Sequence, residues 1–186
     1  MRLRTIALPT VLAVAASAAG WFAALQAIPY VAQSAIWNRW VATGYTGWNQ
    51  LRPATLRKAS RNRVPMANAD SLQTGVMIDV GNGPVVFTAT PPSLAEYWSI
   101  SVFGHNTDTL FVVNDQAVQK STPYRLIVKS AKQATPDIAA DAIVTLPSRR
   151  GQLLVRTIMR NPADAAHTTA LARELEEMSV QTVAKP

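Results

Sequence analysis

Two histidines, His105 and His167, are the chain's most versatile titratable groups, and their neighbours decide what they could do. His105 opens the polar stretch HNTD, with Asp108 in the same turn and Asp115 at the end of the next apolar run. A histidine among carboxylates is the raw material of acid–base catalysis. His105, Asp108 and Asp115 are therefore the candidate polar cluster. The plainer reading is turn chemistry, which accounts for Asn106, Asp108, Asn114 and Asp115 without any catalytic role, and it is preferred here. Tyr97 and Trp98 are the candidate ligand-facing aromatics, able to line a sugar-binding groove, although an aromatic in a strand is more often core.

Other chemistries lack their signatures. There is no cysteine, so disulfides, thiolate metal sites and cysteine nucleophiles are excluded. The two histidines have no metal-ligand spacing, and neither an H-x-H nor an H-E-x-x-H pattern occurs, so no metal is expected. No G-x-S-x-G elbow, P-loop or dinucleotide fingerprint is present. Gly81-Asn82-Gly83 is read as a hairpin turn, because a strand and not a helix follows it. No catalytic residue and no cofactor are assigned, and the balance of the reading leans away from an enzyme.

The elements that must position these residues are mostly strands. Val76, Ile78 and Val80 alternate with Gly75, Met77 and Asp79, the period of a half-buried strand. Pro84 precedes the strand Val85 to Ala89, where its missing N–H does least harm. Trp98, Ile100 and Val102 alternate with Ser99 and Ser101, the cleanest strand in the chain, and Leu110 to Val113 follows after HNTD. Tyr124 to Val128, Ala142 to Leu146 and Gln152 to Arg160 read as further strands, with a short helix expected over Lys132 to Ala140. Arg156 falls on the face of Leu154 and Ile158, and an exposed face is the preferred explanation, since an unpaired buried charge is costly. Asn161 as N-cap, Pro162 at the first position and the spacing of Ala170, Leu171, Leu175 and Met178 predict a closing helix. The tail beyond Val180 is expected to be loose.

The N-terminal part is different. Between Arg4 and Arg39 there is no charged residue, and Ile6 to Ile28 is rich in Ala, Leu and Val. As a helix that run covers roughly 35 Å, enough for a hydrocarbon core of about 30 Å. Tyr30, Trp37 and Trp40 follow and are expected at the membrane–water interface. A cleaved signal peptide ending at Ala16-Ser17-Ala18 is the competing reading, and the length of the apolar run favours an uncleaved anchor. Arg2 and Arg4 orient the N-terminus inwards, although Arg39 and Arg52 nearly balance them. The domain is expected on the periplasmic side of a bacterial inner membrane.

Charge divides along the same line. The segment up to Ala69 carries eight basic residues and no acid, whereas the rest holds ten basic against eleven acidic residues. The balanced part offers no basic nucleic-acid-reading face. Arg52, Arg57, Lys58, Arg61 and Arg63 form a basic neck, read as a solvated linker, with lipid head-group contact as the sharper alternative. Three units follow: an anchor and interfacial segment over 1–40, a basic juxtamembrane linker over 41–69 and a β-sandwich over 70–182.

NRVPMANADSLQTGVMIDVGNGPVVFTATPPSLAEYWSISVFGHNTDTLFVVND resembles the core block of the domain-of-unknown-function 1254 family. Asp79, Gly83, Pro84, Val85, Tyr97, Trp98, Ser99, Asn114 and Asp115 hold the family's places, and LLVRTIMRNPAD is similar to its later V-R-T strand. The resemblance covers roughly residues 62 to 180. It implies a mainly β, antiparallel, jelly-roll-like sandwich with one N-terminal transmembrane helix and one C-terminal packing helix. It also implies a separate membrane-anchored partner of the domain-of-unknown-function 1214 type, and no known reaction. The expected function is a non-enzymatic binding or assembly module of the cell envelope. The alternative is an envelope enzyme or carbohydrate-binding jelly roll built on His105, Asp108 and Asp115.

Overall fold

The computed structural model describes residues 2–45, 47–56, 70–118 and 122–184. A long helix, α1 (Arg2–Ala42), leads into two stacked sheets. The strands are β1 (Thr55–Leu56), β2 (Ser71–Asp79), β3 (Val85–Ala89), β4 (Tyr97–Gly104), β5 (Thr109–Asn114), β6 (Tyr124–Ser130), β7 (Ala142–Leu146), β8 (Arg150–Ile158) and β9 (Ser179–Thr182). A second helix, α2 (Ala165–Glu176), separates β8 from β9. The five-stranded sheet has the order β1-β2-β8-β4-β5, and the four-stranded sheet β7-β6-β3-β9. Neither closes into a barrel. All pairings are antiparallel except β6 with β7, which run parallel.

The core follows from the alternation. Leu72, Val76 and Ile78 of β2, Ile100 and Val102 of β4, and Leu153 and Val155 of β8 point inwards from the larger sheet. Val85 and Phe87 of β3 with Leu126 and Val128 of β6 meet them from the smaller one. Leu171 and Leu175 of α2 are fully buried in the same cluster, worth roughly 1.5–3 kcal/mol each by removal of apolar surface from water.

Several expectations are corrected. Lys132 to Ala140 is not helical: Gln133 spends its side chain on Ser130 N and the Val80 carbonyl, and Ile138 N bonds Pro136 O. The N-cap of α2 is Asp164, whose carboxylate accepts from His167 N at 3.0 Å. Asn161 instead folds back to accept from Ala163 N. The tail expected to be loose beyond Val180 instead begins inside β9 (Ser179–Thr182), an edge strand on β3 that takes in Gln181 and Thr182. Finally, residues 49–56 are not a free linker. Asn49 N and Arg52 N donate to Met77 O and Gly75 O, Leu51 bridges Val76, and β1 pairs with β2. They extend the edge of the larger sheet, and Arg57, Lys58, Arg61 and Arg63 lie outside the described residues.

Candidate functional site

The second half of α1 lies on the outer face of the larger sheet. Gln33, Trp37 and Trp40 recur at helical spacing and are buried, with Ser34 half-buried beside them, while Leu8 to Ile28 are exposed throughout. Gln33 Nε2 donates to Gln152 Oε1 of β8 at 2.5 Å, and both side chains are buried. Trp37 and Trp40 pack on Met77 of β2, with Tyr45 and Trp48 closing the cluster. Burial pushes the Tyr45 hydroxyl up to about 12. Gly75 makes this approach possible: a Cβ there would lie 3.2 Å from the Trp40 ring and 2.6 Å from Leu153 O.

This corrects the reading of Trp37 and Trp40 as interfacial anchors. At 5% and 6% exposure they belong to the protein's own interior, whereas Tyr30 remains 44% exposed. The signal was present in the polar pair Gln33-Ser34, which interrupts an apolar run one helical turn before Trp37. It also explains why β2 is buried on both faces although its sequence alternates like a half-buried strand.

The structure disperses the candidate polar cluster. His105 belongs to the helix–sheet seam: its ring lies edge-on to Tyr30 at 5.2 Å and tilted against Trp37 at 4.6 Å, with Ser34 Oγ 3.3 Å from Nε2. Burial and then the nearby Arg150 charge hold its pKa below the ordinary histidine value. Asp108 turns away to accept from Asn106 Nδ2 at 2.5 Å. Asp115 sits beside Trp98, at the other end of the β4–β5 hairpin, about 23 Å away along the strand. Trp98 is buried in the core and faces no groove, whereas Tyr97, its neighbour on the opposite face, is half-buried. Arg52 stands over the Trp40 ring at 5.0 Å. Arg156 is exposed, as expected from its face.

The end of the sandwich beside His105 holds a cavity of about 660 Å³, formed by four turns. Val80, Leu110, Leu146 and Pro147 give it apolar walls, and Asn106, Asp108, Lys132 and Arg149 supply polar groups. The β6–β7 turn is strapped in place by Gln133 Nε2 to Val80 O at 2.5 Å and Lys129 Nζ to Gln133 O at 2.9 Å. Arg149 is anchored from below by Asp79, Nε to Oδ1 2.6 Å, yet its side chain stays 64% exposed. Burial alone would raise the Asp79 pKa; hydrogen bonds from Arg149 and Gly81 N, with the charges of Arg149 and Arg150, outweigh it and hold the carboxyl below its ordinary value. Asn49 completes this corner, its side-chain amide exchanging two 2.8 Å bonds with the Asp79 backbone as a neighbouring strand would. Among the described residues, no group of three or more His, Asp or Glu could hold a metal.

The fold and these sites define a mainly β, two-sheet protein bearing an apolar helix long enough to cross a membrane. The chain belongs to the DUF1254 family of proteins of unknown function, whose family model matches residues 48–177. That match begins at the segment that edges β2. In fold it is similar to the crystal structure of the VPA0106 protein from Vibrio parahaemolyticus, with a TM-score of 0.62 and 15% identity, over 83% of this chain and 35% of that one. A putative uncharacterized protein from Burkholderia cenocepacia is also similar, with a TM-score of 0.45 and 14% identity, over 82% of this chain and 48% of that one. The chain thus spans between a third and a half of the length of these structures. No curated protein matches it in sequence.

Proposed function

We propose that the protein is a single-pass, membrane-anchored module of the bacterial cell envelope that works by binding and assembly rather than by catalysis. The observation that carries this reading is the continuity of α1. One helix, with Pro29 at the junction, runs from the exposed apolar stretch Leu8–Ile28, roughly 31 Å long, into the buried seam at Gln33, Trp37 and Trp40. A cleaved leader has no need to share a helix with the domain's own packing. Here cleavage near Ala18 would leave Gly20 to Ile28 as an exposed apolar stub. The domain stands on the periplasmic side, with the N-terminus inside.

The functional companion is a separate membrane protein of the domain-of-unknown-function 1214 type. The support is the family resemblance, which implies such a companion for membrane-anchored members of this kind. Extraction of the tagged full-length chain in mild detergent, followed by mass spectrometry, tests the reading. A stoichiometric second membrane protein is expected. A chain that purifies alone, at native expression and from several detergents, would refute the assembly role.

A further inference from the structure

The cavity and the membrane helix meet at the same end of the sandwich. Following α1 backwards from its C-terminus, Trp40 lies over Gly75, Gln33 over Gln152 and Tyr30 against His105. The strand register orders these points: Gly75 pairs with Leu154, which pairs with Ser101, whereas Gln152 pairs with Phe103, and His105 lies past the last pair at Gly104. The helix therefore crosses the sheet diagonally and leaves it over the β4–β5 turn. That turn supplies Asn106 and Asp108 to the cavity. Ile28, the last residue of the exposed apolar run, is only two residues before Tyr30. With Leu8–Ile28 in the bilayer, the cavity mouth stands at head-group level. α2 closes the opposite end, where Met159 meets Thr168 and Glu174 binds the loop at Ser93 and Leu94.

We infer that this cavity is a binding site for the head group of an anionic phospholipid drawn from the adjoining leaflet. This rests on the anchored reading above and names its ligand. The walls suit an amphiphile: Val80, Leu110, Leu146 and Pro147 accept the glycerol and first methylenes of a lipid, and a freely soluble anion gains nothing from them. The charges suit a phosphodiester. Among the described lining residues, Lys132 and Arg149 face one carboxylate, Asp108, which Asn106 already engages, while Asp79 behind the wall is shared between Arg149 and Arg150. Arg149 is oriented through its Nε by Asp79, leaving the rest of a mostly exposed guanidinium to face the ligand. One wall is tied across the sheets by the bond from Gln133 Nε2 to Val80 O.

The test uses the full-length chain, isotope-labelled, in dodecyl maltoside micelles. Dihexanoyl phosphatidylglycerol, dihexanoyl phosphatidylcholine and inorganic phosphate are titrated separately, and the backbone amides of Gly81, Asn106, Ala131 and Ser148 are followed by NMR. Phosphatidylglycerol is expected to shift these amides saturably. Lys132→Glu, at an exposed turn position, is expected to weaken that binding about fivefold or more, the effect of one cation beside an anionic head group. The remaining spectrum of the variant should be unchanged. Absence of saturable shifts, or equal affinity in the variant, overturns the site. Equal shifts from phosphate alone overturn the lipid as the source, and equal shifts from phosphatidylcholine overturn the charge selectivity. Carbonate extraction of the same chain reads the anchor independently, so failure of the cavity and failure of the anchored reading are told apart.

Discussion

At the scale of the residue, the seam depends on a few side chains that cannot be exchanged singly. Gln33 and Gln152 are buried, and Gln33 Nε2 donates to Gln152 Oε1 at 2.5 Å. Gln33→Leu would leave the Gln152 amide buried without its partner, at a cost of roughly 1–3 kcal/mol, while the double change to leucine should recover most of it. Denaturant unfolding of the two single variants and the double variant measures this coupling. His105 adds a pH dependence with a definite sign. Its folded pKa is depressed by burial and by Arg150, so below the ordinary value of about 6.5 the unfolded chain binds a proton that the folded chain refuses. Stability is thus full above about pH 6.5 and falls as pH drops towards the folded pKa. His105→Phe, which keeps the ring between Tyr30 and Trp37, should flatten that limb of the thermal stability profile. An unaltered profile would place the pH sensitivity elsewhere.

At the scale of the element, the second half of α1 is part of the fold and the first half is not. Trp37→Ala should cost roughly 3–5 kcal/mol, the range for removing a large buried aromatic, and Gly75→Val should be worse than neutral because its Cβ meets Leu153 O. A chain beginning at Pro29 should fold and stay soluble, whereas one beginning at Gly47 should expose Met77 and aggregate. Size-exclusion chromatography and near-ultraviolet circular dichroism of both truncations decide this. The strands were legible because their alternation is a local property, and β3 to β8 appear close to where the periodicity places them; Gly81-Asn82-Gly83, however, carries the chain from one sheet to the other and closes no hairpin. What failed was whatever depends on distant partners. Trp37 and Trp40 look like interfacial aromatics until Met77 is known to lie beneath them, and Leu51 and Arg52 look like linker until β2 is known to need an edge. The tail looks loose until β3 offers it an unpaired side. The candidate site failed for a related reason. His105 and Asp115 are near in sequence, but a full hairpin separates them, and the cavity draws on four turns that no local pattern connects.

At the scale of the whole molecule, the domain is joined to its long apolar helix without an intervening spacer, since the second half of α1 packs on the larger sheet. In the anchored arrangement proposed above, the helix that leaves the bilayer after Ile28 is the one packed on the sheet through Gln33, Trp37 and Trp40, so α1 would set the domain's orientation. That reading predicts an end-on arrangement, with the four-turn cavity towards the lipid and α2 away from it. Cysteines introduced singly at Asn82 and at Glu176, both exposed, should differ in reactivity towards a membrane-bound maleimide lipid in reconstituted vesicles, the first reacting much faster. The proposed anchoring and the lipid site both depend on Leu8–Ile28 remaining attached and holding the protein in the bilayer. Carbonate washing of membranes that contain the untagged chain, followed by intact mass measurement, tests it most directly. A chain retained in the washed membrane with its first 28 residues present is expected. A soluble chain beginning just after Ala18 would contradict it.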